Sequence, residues 1–200
     1  KITVVTNTEK KDFSLNFNDD EANYFKEYSD RFIISYVGGF GPHRGLHTAI
    51  EAMGIIAKKI PNALLVLIGP ASKDVRAYLE NLVKQYKLGD YVLIKESQPF
   101  KDVIRIMSSS HINMIPHISN EHTESTIPHK LFQILLSQKP LLVSDCLPMK
   151  RIVTDNTIGT VFKAGDSYDF SKTIFEYLEI SFSSSDLVFM NTNDNSPVSF

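Results

Sequence analysis

Short runs of aliphatic and β-branched residues alternate along this chain with longer stretches whose apolar positions recur every three or four residues. The run Phe32-Ile33-Ile34-Ser35-Tyr36-Val37 predicts a buried strand. Gly38-Gly39-Phe40-Gly41-Pro42 follows as a loop, and residues 45–59 then place Leu46, Ala49, Ile50, Met53, Ile56 and Ala57 on one helical face. Pro61-Asn62 ends that helix. The unit then repeats: a strand over 63–68, a turn at Gly69-Pro70, and a helix over 73–86 with Val75, Leu79, Leu82 and Val83 inward. Further strands are predicted over 91–94, 112–115, 141–144 and 160–162, and further helices over 102–109, 128–137, 148–153 and 170–178. A long polar loop spans 116–126. Ahead of the regular pattern, Ile2-Thr3-Val4-Val5 reads as a short strand, followed by a polar stretch over 7–30 with weak helical periodicity. The pattern fails from Ser181 onward, so 181–200 reads as a loosely ordered tail.

Apolar strands alternating with amphipathic helices imply a parallel sheet covered on both faces, because parallel strands need crossover helices. The expected fold is therefore α/β: a doubly wound, Rossmann-like sheet of about six strands over residues 1–180. In such a sheet the ligand lies beyond the carboxyl ends of the strands, where strand order reverses. The loops meeting there are 38–45, 69–73, 95–100, 116–128 and 144–148.

Composition narrows the classes. With 200 residues, 42% hydrophobic and 22% charged, the chain is neither collagen, a disordered polymer nor a coiled coil. A net charge of −2 argues against a general nucleic-acid binder, which needs a basic surface to displace counterions. The single cysteine, Cys146, cannot form an internal disulfide and fits a reducing compartment. No apolar run approaches the ~20 residues of a membrane helix. The chain begins at Lys1 without a signal-like stretch, which suggests a segment of something longer.

Two segments carry candidate chemistry. In the first, Gly38 to Gly45, glycines let the backbone approach a ligand, the following helix start offers N–H groups, and Arg44 adds a charge suited to phosphate. No Gly-Lys-Ser/Thr follows, so this is not a Walker loop, and a tight turn with an exposed arginine is an equal reading. In the second, Glu121 to Gln133, Pro128 falls in the first helical turn, Ser125 or Thr126 offers a cap, and Lys130 opens the helix. A lysine at a helix N-terminus is unfavourable unless an anion sits there; alone it reads equally as a solvated lysine near a cap, and combined with Arg44 on a converging loop it reads as a diphosphate clamp. His117, His122 and His129 with Glu121 and Glu124 match no zinc spacing, so no metal is expected. Cys146 reads as a buried, inert thiol.

Taken together these stretches resemble the C-terminal donor-binding domain of a GT-B glycosyltransferase of family 4, the glycosyl transferases group 1 type. The motifs are Tyr36 to Gly45, Val66-Leu67-Ile68-Gly69, His122 to Gln133, and Lys139-Pro140-Leu141-Leu142-Val143-Ser144-Asp145, in the family's order. The resemblance implies a retaining, metal-independent transfer from a UDP-, GDP- or ADP-linked sugar, with no cofactor besides that donor. Arg44 and Lys130 would hold the diphosphate beside Gly38, Gly39 and Gly45. Thr126 and Ile127 would line the donor, with the base near Lys95 to Gln98. The family's ribose-binding glutamate falls on Gln133, an uncharged and weaker acceptor. Glu124, with Glu121 as rival, would be the acid near the transferred sugar. The family's frequent first-loop arginine falls near Gly39, which leaves more of that task to Arg44.

The resemblance further implies an N-terminal acceptor domain outside this chain, a glycan or lipid-linked acceptor, and a cytoplasmic site at the inner membrane face with peripheral attachment at most. The isolated chain is expected to bind donor weakly and transfer nothing. Rival readings are an epimerase-like domain that consumes donor without acceptor, and a non-catalytic Rossmann-like interaction domain. An oxidoreductase is disfavoured, because Gly69 stands where an acid would close the second strand to hold an NAD ribose.

Overall fold

A computed structural model describes residues 23–182. The strand expected over 2–5, the first part of the polar stretch and the tail from 183 on lie outside the described residues. Six strands, β1 (Phe32–Val37), β2 (Ala63–Ile68), β3 (Val92–Lys95), β4 (Ile112–Ile115), β5 (Leu141–Ser144) and β6 (Thr160–Phe162), form one parallel sheet in the order β3-β2-β1-β4-β5-β6. The helices are α1 (Leu46–Lys59), α2 (Lys73–Gln85), α3 (Phe100–Ser109), α4 (Lys130–Leu136), α5 (Leu147–Asn156) and α6 (Ser167–Phe182).

Every residue of β2 is buried, as is all of β1 except its last, because helices cover both faces. On one face Ile34, Tyr36, Leu65, Leu67 and Met114 pack against α1, α2 and α6. On the other, Ile33, Leu64, Val66 and Ile68 meet Ile106 of α3, and Ile115 and Val143 meet Leu131, Ile134, Met149 and Val153 of α4 and α5. Each such aliphatic side chain contributes roughly 1.5–3 kcal/mol of burial, so the sheet is the stable frame on which the loops sit.

The chain lays β1, β2 and β3 outward in one direction, then returns so that β4 pairs with β1 on its other side. The switch point therefore lies between the ends of β1 and β4, where loops 38–45 and 116–129 emerge. A buried polar link fixes this seam. Ser35 of β1 donates to the side-chain Oδ1 of Asn113 on β4 at 2.9 Å, and the Asn113 side-chain Nδ2 donates to the Met107 backbone carbonyl of α3, also at 2.9 Å. Unmade, these bonds would leave buried polar groups unsatisfied, so they hold the β1/β4 register.

The bounds of α4 and α6 differ from expectation. α4 begins at Lys130, with Pro128 outside it, and neither Ser125 nor Thr126 caps it. Their hydroxyls turn back to the preceding turn: Ser125 donates to the Glu121 carbonyl at 2.8 Å and Thr126 to the His122 carbonyl at 2.8 Å. Ser and Thr readily take such local bonds when a turn is within reach. α6 runs from Ser167 to Phe182, past the predicted end at 178.

Candidate functional site

The loop after β1 is held in shape by its neighbours. The Tyr36 hydroxyl donates to the Gly39 carbonyl at 2.9 Å, the Gly38 N–H donates to the Ile68 carbonyl at 2.9 Å, and the Phe40 N–H donates to the Pro70 carbonyl at 2.8 Å. Gly45 ends a 3₁₀ turn over Pro42–Arg44 at φ +66°, and a β-carbon there would overlap the Pro116 carbonyl oxygen. The Ile118 N–H donates to the His43 carbonyl at 3.0 Å. The loops following β1 and β4 are thus pressed together as one unit.

Lys130, from the start of α4, reaches into this unit. The residue as a whole is half-buried, yet its ammonium is closed off from water and has no hydrogen-bond partner. It lies 3.6 Å from the centroid of the Tyr36 ring, a cation–π contact. A side chain on Gly38, at φ +142°, would meet this ammonium at 2.6 Å, so that glycine makes room for the lysine. Burial, with the Arg44 guanidinium as second cause, holds the Lys130 amine well below the usual lysine range. Arg44 contacts His117, Nη1 to Nε2 at 3.0 Å. Arg44 and Lys130, remote in sequence, are therefore near enough at the switch point to act on one another electrostatically.

The glycosyl transferases group 1 profile matches residues 18–188. The chain belongs to this family. CapM, a capsular polysaccharide biosynthesis glycosyltransferase of Staphylococcus aureus, is 39% identical over 57 residues, covering 28% of this chain and 15% of CapM. The Anabaena protein HepE, solved with UDP, has a similar fold: TM-score 0.74 at 17% identity, over 88% of this chain and 48% of HepE. The C-terminal domain of the group 1 family protein LpcC from Francisella tularensis gives TM-score 0.62 at 18% identity, over 74% of this chain and 75% of that one. This doubly wound sheet matches the Rossmann-like domains of GT-B glycosyltransferases. The match spans 48% of HepE's length and 15% of CapM's.

Other predicted site residues of this glycosyltransferase domain are placed unevenly around the two cations. Glu124 is tied down by both oxygens: Ser119 donates to one at 2.5 Å, and the Leu147 N–H at the start of α5 donates to the other at 2.8 Å. The Ser119 bond first, then the Leu147 bond, holds its carboxyl below the usual range, so it is ionised at neutral pH. Glu121 is exposed on the same turn. Gln133 is half-buried on α4. Ile127 packs into the core beneath α4 and α5, so its side chain belongs to the frame. The Lys95 ammonium sits 5.8 Å from the ring centroids of both Tyr24 and Tyr28, on the α3 side of the sheet, and the Gln98 amide donates to the Glu96 carbonyl at 3.1 Å. Cys146 is a buried thiol. Among the described residues no three His, Cys, Asp or Glu side chains converge as a metal site. No helix among them is long and apolar enough to cross a membrane.

An apolar cavity of about 330 Å³ lies between Pro42, Leu46, Val75 and Tyr78. Sequence reading missed His117 and Tyr36. Tyr36 follows the alternation of β1 and looks like plain core, and His117 shows its role only once Arg44 is beside it.

His117 carries a testable pH dependence. Burial first, then the Lys130 and Arg44 charges, lowers its pKa to about 3 from 6.5. Between those values the unfolded chain binds a proton that the folded one refuses, so stability rises with pH through this window. The urea midpoint should therefore fall steadily from pH 7 to pH 4, and His117→Gln should fall less steeply. Parallel slopes for the two proteins would refute the assignment.

Proposed function

We propose that this domain holds the donor in a retaining, metal-independent glycosyl transfer, with the diphosphate of a nucleoside-diphosphate sugar lying between Arg44 and Lys130. The observation that carries this reading is the Lys130 ammonium, enclosed, without a hydrogen-bond partner, and set against Arg44 at the switch point. Buried like charges oppose folding unless an anion relieves them, and a pyrophosphate accepts from both at once. As the glycosidic bond breaks, negative charge builds on the departing nucleoside diphosphate, and two fixed cations stabilise that charge more in the transition state than before it.

The remaining roles follow the same polarity. Glu124, ionised on the rim, stands as the acid near the transferred sugar. The Gln133 carboxamide meets the ribose hydroxyls, and the backbone after β3 meets the base. HepE was solved with UDP, which makes UDP the first nucleotide to test. CapM's part in capsular polysaccharide biosynthesis favours a glycan or lipid-linked glycan acceptor, held by a further domain, on the cytoplasmic side of a membrane.

A thermal-shift panel of UDP-, GDP- and ADP-glucose against the full-length protein tests the reading. One nucleotide should raise the melting point, since a ligand at a hundredfold excess over Kd adds about 2.7 kcal/mol. Arg44→Ala should shrink the shift. No shift with any of the three would favour a non-catalytic interaction domain, and donor consumed without acceptor would favour an epimerase.

A further inference from the structure

Arg44 occupies an electrically awkward place. Its guanidinium can only donate hydrogen bonds, and the neighbouring Lys130 ammonium repels it. A long, mobile side chain in that position turns toward water unless something accepts from it. The acceptor is His117, 3% exposed and locked beneath the loop. Pro116 packs on Gly45 just before it, and the Cys146 thiol lies 3.6 Å from the His117 carbonyl. At 3.0 Å from Nη1, Nε2 must present a lone pair, so the ring is neutral and carries its proton on Nδ1. A protonated ring would set N–H against N–H and add a third cation. The groups that act on it are Arg44 and His43 from the β1–α1 loop, His122 from the loop after β4, and Lys130 from α4, all of them basic.

We infer that His117 is a positioning residue, whose Nε2 lone pair fixes the Arg44 guanidinium toward the diphosphate end of the donor site. The donor end is the proposed function's; the lone-pair contact stands on geometry alone. His117 itself touches no donor. A glutamine can replace it, because a carboxamide oxygen also accepts from a guanidinium, whereas leucine of similar bulk cannot.

The experiment has two arms on the full-length protein. Without ligand, long-range nitrogen–proton NMR should show His117 protonated on Nδ1 and bare on Nε2 from pH 8 to pH 5. A proton on Nε2 overturns the inference. With UDP as probe, calorimetry should find His117→Leu about tenfold weaker than wild type and His117→Gln within about threefold. In an Arg44→Ala background, His117→Leu should add less than about twofold. Equal losses in both backgrounds, or no loss at all, also overturn it. Should wild type bind none of UDP, GDP and ADP, the donor reading falls while the NMR arm still decides the role of His117.

Discussion

Replacing Gly45 with alanine is expected to destabilise the domain by more than about 3 kcal/mol and to abolish nucleotide binding. Gly45 sits at φ +66°, a conformation that costs an alanine about 1 kcal/mol. The larger cost is steric. The new methyl would occupy the space of the Pro116 carbonyl oxygen, and that oxygen belongs to backbone that cannot swing aside. To admit it, the β1–α1 loop must lift off the loop after β4. That movement breaks the Ile118–His43 backbone bond and the Arg44–His117 contact, each 3.0 Å in the native fold. Gly54 is the matched control. It lies within α1, and a β-carbon there meets nothing within 4 Å, so Gly54→Ala should stabilise by about 0.5–1 kcal/mol through helix propensity. Chemical denaturation of both variants decides the matter. A Gly45→Ala protein as stable as wild type would mean the two loops are not in register as described.

Lys130→Met should move stability and activity in opposite directions. Methionine fills the lysine's space, keeps contact with the Tyr36 ring, and removes an ammonium that is enclosed without a partner. Losing the cation–π contact costs about 1–2 kcal/mol, but removing an unpaired buried charge gains more, for a net gain of about 1–2 kcal/mol without ligand. The gain grows as pH falls below 10.5 and is complete once pH lies below the folded lysine's own lowered pKa. It fades as pH rises toward 10.5, where the unfolded lysine also sheds its proton and no longer favours the unfolded state. Sugar transfer by the full-length enzyme should fall by a barrier increase of about 3–4 kcal/mol, with the nucleotide-induced thermal shift lost. A variant that is less stable than wild type yet still transfers sugar at the wild-type rate would remove Lys130 from the donor site.

The alternation of strands and helices was legible because each buried segment states its own environment. β1, β2, β4, β5 and β6 fall where the apolar runs place them. The errors lie at helix starts, where the choice is made by competing local bonds. Thr126 and Ser125 were expected to cap α4 and instead bond to the turn behind them, a choice that depends on where the 119–126 turn folds. Lys95, which the family resemblance sets near the base, sends its ammonium to the tyrosine rings of the segment before β1, a contact between residues far apart in the chain.

By itself the sequence determined the fold class and the two basic residues, since periodicity and residue type are local properties that folding preserves. Only the tertiary structure decided that Arg44 acts electrostatically on Lys130, that Tyr36 and Gly38 shelter the lysine, and that Arg44 meets His117. Electrostatic energy depends on distance and burial, and a parallel sheet brings together loops about seventy residues or more apart in the chain, so these relations exist only after the strands have been ordered.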